Sequence, residues 1–213
     1  MGTFEDRKVY AKGHLDESAL GDVPAALKGW LEAARTSDPT DYNAMTLSTI
    51  GLDGHPNARV VLLRSLEELE GEHAVAFYTN YESEKGRELD AHPNAAATFF
   101  WRELERQLRI RGRVVRMSEA DSDRYFASRP RESRIGAWAS NQSIDTTGRT
   151  EMEAAWASFD EKFGSDIPRP PHWGGYLLMV DAIEFWQGRP GRMHDRLVAT
   201  RDGGSWEVRR LQP

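Results

Sequence analysis

The sequence predicts a mainly β protein, an antiparallel barrel with peripheral helices. Asp53-Gly54 lies between two β-rich runs, residues 44–52 and 58–63, which is a strong hairpin signal. Residues 107–114 alternate strictly, so one strand face is apolar and the other cationic. Six or more strand-like runs are joined mostly by short turns, without the strand–helix alternation that a doubly wound sheet requires.

Residues 1–22 are polar and aperiodic and read as an arm, with residues 23–213 as a single domain. Val23, Leu27, Trp30, Leu31 and Ala34 share one helical stripe, with Asp22 placed as the cap, Pro24 in the first turn and Asp38-Pro39 as the stop. After the hairpin, residues 74–79 and 95–101 are further strands, and residues 83–91 between them form a short helix begun by a serine cap. Ser118-Glu119-Ala120-Asp121 resembles a capping box opening a helix that Pro130 closes. Met152, Trp156, Phe159 and Phe163 form a second amphipathic stripe ended by Gly164. Strands near residues 175–180, 183–186, 197–200 and 206–209 complete the chain.

The 213 residues carry 28 Lys and Arg against 34 Asp and Glu, a net charge of −6 that speaks against nucleic-acid binding. There is no cysteine, so disulfides, thiolate metal sites and cysteine nucleophiles are excluded. The six histidines show no metal-ligand spacing, so no metal is expected. No apolar run is long enough for a membrane span and the N-terminus lacks a signal-peptide pattern, so a cytoplasmic location is expected. There is no dinucleotide fingerprint, P-loop or nucleophile elbow.

What remains is arginine chemistry. Arg59 and Arg64 bracket a strand and, by strict alternation, face opposite ways, so they reach different anions or are simply solvated. Tyr125 and Arg129, four apart on one helix face, with Ser133 opening the next helix, combine two hydroxyls and a guanidinium as a phosphate site would; capping and a surface arginine are the plainer reading. Arg192, His194 and Arg196 follow a Gly/Pro turn after Trp186. Period-two placement puts all three on one face, where an anion, or an acid such as Glu184 or Asp195, would neutralise them.

Together these motifs resemble the pyridoxine/pyridoxamine 5′-phosphate oxidase family. The matching stretches include Arg7-Lys8-Val9-Tyr10, residues 59–64, Phe77-Tyr78-Thr79-Asn80, Leu104-Glu105-Arg106-Gln107, residues 125–138, Asn141-Gln142-Ser143, Trp173-Gly174-Gly175, residues 184–188, residues 192–196 and the terminal Arg210-Leu211-Gln212-Pro213. The resemblance implies an FMN-binding split β-barrel working as a homodimer, with FMN at the subunit interface. By motif, the flavin would be held by Arg59, Val60, Val61, Leu62, Tyr78, Thr79, Lys85, Gln107, Gln142, Ser143, Trp186 and Arg196. The substrate phosphate would be held by Arg64, Tyr125, Arg129 and Ser133, with Arg192 and His194 at the pyridine ring as the catalytic pair, and with Arg7 and Tyr10 as a lid. The implied reaction oxidises pyridoxamine or pyridoxine 5′-phosphate to pyridoxal 5′-phosphate, with O2 as acceptor and H2O2 as product.

Two positions depart from the family pattern: Arg64 stands where lysine is common, and Glu84-Lys85 where Arg-Lys is frequent. An FMN oxidase of the same fold acting on another ring, as in phenazine biosynthesis, shares Arg210–Pro213 and Ser83-x-Lys85-Gly86 but needs no substrate-phosphate site. A split-barrel flavin or haem carrier has no use for Arg192-x-His194 or the lid motif.

Overall fold

The structure is a computed structural model and describes residues 9–213. Arg7, expected on the lid, lies outside the described residues. From Leu15 the arm is already packed, because Leu15 and Leu20 are buried and a short 3-10 turn, Glu17–Leu20, leads into α1 (Val23–Ser37). The Asp22 carboxylate accepts from the Ala25 N–H at 2.9 Å, and the stripe of Val23, Leu27, Trp30, Leu31 and Ala34 is the buried face, as the spacing predicts.

Strands β1 (Ala44–Ile50) and β2 (Pro56–Leu62) form the expected hairpin, with Gly54 at φ +81 in its turn. The next hairpin, β3 (Ser65–Leu69) with β4 (Glu72–Asn80), is half unforeseen, since β3 had no strand signal. Its two-residue loop, Glu70-Gly71, has both residues at positive φ, 51 and 78, as a primed turn requires. Helix α2 (Glu84–Ala91) starts on Ser83, whose Oγ accepts from the Gly86 N–H at 3.3 Å. Strands β5 (Asn94–Trp101) and β6 (Arg106–Arg116) follow, then α3 (Glu119–Ser128), α4 (Arg131–Ala139) and α5 (Arg149–Lys162), and then β7 (Trp173–Met179), β8 (Ala182–Gln187), β9 (Asp195–Asp202) and β10 (Ser205–Arg210).

All ten strands among the described residues join one sheet whose pairings are antiparallel, and the sheet splits at β6. Residues 106–111 pair with β8, residues 114–116 pair with β7, and β5 runs along the other edge. One arm therefore runs β10-β9-β8-β6-β5-β1-β2 and the other β6-β7-β4-β3. Gly112 sits at the fork, where a Cβ would lie 1.7 Å from the Met179 carbonyl oxygen, so only glycine lets the two arms part there. The alternation of β6 behaves as expected: Leu108, Ile110 and Val114 are buried while Arg109, Arg111 and Arg113 are exposed. This is the split β-barrel that the sequence resemblance implied.

Two main apolar clusters result. The barrel core gathers Leu47, Phe77, Phe99, Leu108, Phe185 and Leu197 under α1. A second cluster, with Phe126, Ile135, Ile167 and Trp173 at its centre, holds α3 and α4 against β7. Helix α5 covers that cluster with Trp156 and Phe159, joined by Phe163 at its C-cap, each half-buried, whereas Met152, expected on the same stripe, is exposed because the helix touches the cluster only over its second half. No helix among the described residues is long and apolar enough to cross a membrane.

Candidate active site

A cavity of about 400 Å³ opens between the end of β4, the start of β7, α3 and α4. Arg64, Tyr125, Arg129 and Ser133 all line it, as do Tyr78, Thr79 and Gln142 from the set expected around the flavin. Two local readings of the sequence are corrected here. Arg129 is not on the helix with Tyr125: it has left the helix at φ −73, ψ 148, because the following Pro130 disfavours the α region. Ser133 lies within the first turn of α4, whose cap position is Pro130. The pair nevertheless converges on the cavity because the chain folds back at the proline.

Arg64 also escapes the alternation argument. Strand β2 ends at Leu62, and the Arg64 N–H donates to Ala76 O at 2.9 Å, so the side chain leaves the hairpin for the cavity. Among the described residues neither Arg64 nor Arg129 donates a side-chain hydrogen bond or makes an ion pair, and the Nη1 of Arg129 is buried without an acceptor. Burial, with the nearby Arg64 charge, pushes the Arg129 guanidinium below its ordinary range. Tyr78 and Tyr125 stack at 3.7 Å between ring centres, and the Tyr78 hydroxyl donates to the Met117 sulfur at 3.1 Å. Burial, with Tyr125 second, pushes the Tyr78 phenol up to about 12, so it stays protonated.

Next to this cavity lies Lys85, only 8% exposed at the start of α2. Its Nζ donates to Thr79 Oγ1 at 3.3 Å, Ser83 Oγ at 3.2 Å and Gln142 Oε1 at 3.3 Å, all neutral. Burial, then the Arg59 charge, lowers its pKa. A buried ammonium surrounded by neutral acceptors, beside a helix N-terminus, is what a phosphate monoester needs, so these residues fit the phosphate end of FMN. Ser143, at φ 68, follows Gln142 in the same loop and is exposed.

Arg59 is bound differently. Its Nη2 pairs with Glu88 Oε2 at 2.7 Å, and its Nη1 donates to Thr49 Oγ1 and to Leu47 O. Glu88 is 2% exposed and also accepts from Thr49 Oγ1 at 2.6 Å and Asn57 Nδ2 at 2.7 Å. Burial acts to raise the Glu88 pKa, but the Thr49 and Asn57 hydrogen bonds and Arg59 outweigh it, and the carboxyl is held below its usual range. Glu88 carries no motif that marks it in the sequence beyond its placement three residues after Lys85, on the same helical face. Val60 and Leu62 point outward from the edge strand β2, and Val61 packs against the core.

The remaining expected residues gather elsewhere. Gln107 stands opposite Trp186 in the β6–β8 ladder. Trp186 and His194 lie 4.7 Å apart, and Tyr10 meets both edge-on at 5.6 and 5.5 Å. The buried Glu105 carboxylate secures this part of the arm, accepting from the Ala11 and Lys12 N–H groups at 2.8 and 3.0 Å. Arg196 pairs with Glu184 at 2.8 Å, one of the acids the sequence offered as a partner. The expected shared face of Arg192, His194 and Arg196 does not exist, because Arg192 ends a 3-10 turn at φ 64 and β9 begins only at Asp195. Arg192 is exposed, and the His194 Nδ1 accepts from the Arg189 N–H at 3.1 Å. Gln107 and Val114, which mark the two halves of β6, are about 23 Å apart at ~3.3 Å per residue. The two clusters therefore belong to opposite ends of the split sheet.

A split β-barrel with a buried cation site beside a cationic cavity is built for anionic ligands. Comparison with known proteins narrows this. Residues 32–163 match the family described as pyridoxamine 5′-phosphate oxidase, and residues 173–213 match the pyridoxine 5′-phosphate oxidase C-terminal dimerisation region. The chain is 50% identical to a pyridoxine/pyridoxamine 5′-phosphate oxidase of Burkholderia multivorans, covering 100% of both chains, and 48% identical to one of Cupriavidus pinatubonensis, covering 97% of each. Among solved structures it is similar to PhzG from Burkholderia lata in complex with tetrahydrophenazine-1-carboxylic acid, with a TM-score of 0.83 and 30% identity over 93% of this chain and 98% of that one. An FMN-binding protein of Nostoc punctiforme shares the fold at a TM-score of 0.73 and 17% identity, over 91% of this chain and 98% of that one. The chain belongs to the pyridoxamine 5′-phosphate oxidase family. FMN is the cofactor of this family.

Proposed function

We propose that the protein is an FMN-dependent oxidase that converts pyridoxamine 5′-phosphate or pyridoxine 5′-phosphate to pyridoxal 5′-phosphate. The observation that carries this is the convergence of Arg64, Tyr125, Arg129 and Ser133, their side-chain donors unspent among the described residues, on one cavity beside the separately built Lys85 site. Two phosphates call for two such sets. In this reading Lys85, Thr79 and Gln142 hold the FMN phosphate, with Arg59 alongside, and Ser143, Tyr78 and residues 60–62 border the flavin.

When bound, the flavin supplies the two-electron acceptor and the route to dioxygen. The protein's own contribution is grip and alignment. Arg129 and Arg64 hold the substrate phosphate, and the hydroxyls of Tyr125 and Ser133 complete the set, turning remote binding energy into placement of the reacting carbon. Arg192 and His194 orient that reacting end. The Arg189 N–H on Nδ1 selects the His194 tautomer with its proton on Nε2, so that Nε2 is a donor. Tyr10 closes over this pair as part of the lid, with Arg7 preceding it in the chain. For the amine, dioxygen is reduced to hydrogen peroxide while water replaces the departing ammonia.

Gln107, Trp186, Arg192, His194 and Arg196 stand at the other end of β6 from the cavity. The reading therefore has a second copy of the chain supply them, in a homodimer with FMN at the interface, and the match to a dimerisation region supports this. The test is steady-state peroxide release by the yellow, flavin-loaded protein. Release with pyridoxamine or pyridoxine 5′-phosphate is expected. Release only with a reduced phenazine carboxylic acid, the ligand type in the PhzG structure, would replace this reading.

A further inference from the structure

Trp173 has no role in the reading above, although it opens β7 directly beneath the cavity. Its ring is buried at 6% exposure and is locked from several sides: near-parallel to Tyr78 at 5.6 Å and to Tyr125 at 6.2 Å, and edge-on to Phe126 at 5.2 Å. The backbone is equally fixed, since Trp173 pairs with Asn80 in the β4–β7 register and its carbonyl accepts from Arg169 Nη1 at 2.7 Å. The two glycines that follow make this close packing possible. A Cβ on Gly174 would lie 1.9 Å from the Tyr81 hydroxyl, and one on Gly175 would lie 2.9 Å from the Tyr78 ring.

Onto this platform falls Arg129, its guanidinium carbon 4.5 Å from the Trp173 ring centre and 5.7 Å from that of Phe126. A half-buried arginine is ordinarily held by a carboxylate, as Arg59 is by Glu88. Arg129 has no such partner among the described residues, and Arg64 adds repulsion. The aromatic face attracts the cation without consuming a single N–H, because the attraction is to the ring quadrupole rather than to a lone pair.

We propose that Trp173 is a positioning residue for the substrate phosphate. It takes the place of a carboxylate, fixing the Arg129 guanidinium while leaving its donors and its charge free for the incoming dianion. An acid in that place would hold Arg129 equally well and would repel the substrate. The inference rests on the proposed reading of Arg129 as a phosphate ligand, and the experiment separates the two.

Trp173→Leu, Trp173→Phe and Arg129→Ala are compared in the FMN-loaded protein by KM and kcat for pyridoxamine 5′-phosphate, by the inhibition constant of inorganic phosphate and by flavin content. Trp173→Leu is expected to raise KM and the phosphate inhibition constant about tenfold at unchanged kcat and flavin content. Trp173→Phe, which restores a π face, is expected to recover to within about threefold of the parent. If Trp173→Leu does not fold, Trp173→Phe decides: a two- to threefold rise in both constants supports the proposal and no change overturns it. A Trp173→Leu variant with parental constants, or one that loses kcat and flavin together, overturns the proposal while leaving the Arg129 reading intact. An Arg129→Ala variant with parental constants overturns the underlying reading itself.

Discussion

The cavity under α3 and α4 and the corner where β8 meets β9 are both rich in arginine, and they treat it in opposite ways. At the corner, Arg196 and Arg109 share Glu184, and Arg210 is shared between Asp195 and Glu17. In the cavity, among the described residues, Arg64 and Arg129 pair with no acid, and the side-chain acceptors of Lys85 beside them are neutral. A paired arginine ties elements together. A desolvated cation without a counter-ion costs stability and persists where a ligand supplies the missing charge. The difference marks Arg64 and Arg129 as cations open to a ligand, whereas Glu184, Asp195 and Glu17 already hold Arg109, Arg196 and Arg210.

The largest effect expected from breaking this contrast is at Arg129. If Arg129 holds the substrate phosphate as proposed, Arg129→Ala removes a charge-assisted contact worth about 2–3 kcal/mol, and KM for the phosphorylated substrate should rise about 30- to 150-fold while flavin content is unchanged. Lys85→Met is expected to weaken FMN binding about 10- to 100-fold, read by titrating the apoprotein with FMN and following flavin fluorescence, with little change in substrate KM at saturating FMN. Ser118→Ala tests a purely structural contact, because the Ser118 Oγ accepts the Asp121 N–H at 3.1 Å; a loss of about 1 kcal/mol in thermal unfolding is expected, with both ligand affinities unchanged. Arg109→Ala, on the paired side, should shift stability by less than about 1 kcal/mol and leave KM alone.

Glu88 sharpens the contrast through pH. Its folded-state pKa lies below the ordinary value of 4.5, so the ionised carboxylate is favoured by folding. The stability it contributes is fully present above about pH 4.5 and fades as pH falls through the lower, folded value. Thermal unfolding of Glu88→Gln followed from pH 7 down to pH 3 should therefore show a shallower acid loss than the parent.

Much of this architecture is legible in the sequence, because strong local signals agree with the tertiary outcome. Asp53-Gly54 makes its hairpin, the alternation in β6 divides core from solvent, and Asp22 and Ser83 cap their helices. Strand β3 is not legible: Ser-Leu-Glu-Glu-Leu has a charged, non-alternating pattern, and what makes it a strand is pairing to β4 across the Glu70-Gly71 turn. At the site, residue identities read well where motifs carry them, whereas local geometry does not. Periodicity places Arg129 on a helix face and Arg192 on a strand face, yet a proline takes the first out of the helix and a left-handed residue takes the second out of the strand. Whether an arginine meets an acid depends on its distance along the chain: Glu184, across one turn from Arg196, is readable as its partner, whereas Glu88, 29 residues from Arg59, is not.

The most direct measurement is selectivity between pyridoxamine 5′-phosphate and unphosphorylated pyridoxamine, taken as the ratio of kcat/KM in the parent and in Arg129→Ala at equal flavin content. If unspent cations in this cavity grip the substrate phosphate, the parent strongly prefers the phosphorylated amine and the variant loses most of that preference while remaining yellow. A variant that keeps the parental preference, or that turns colourless, would contradict the assignment of this cavity to the substrate.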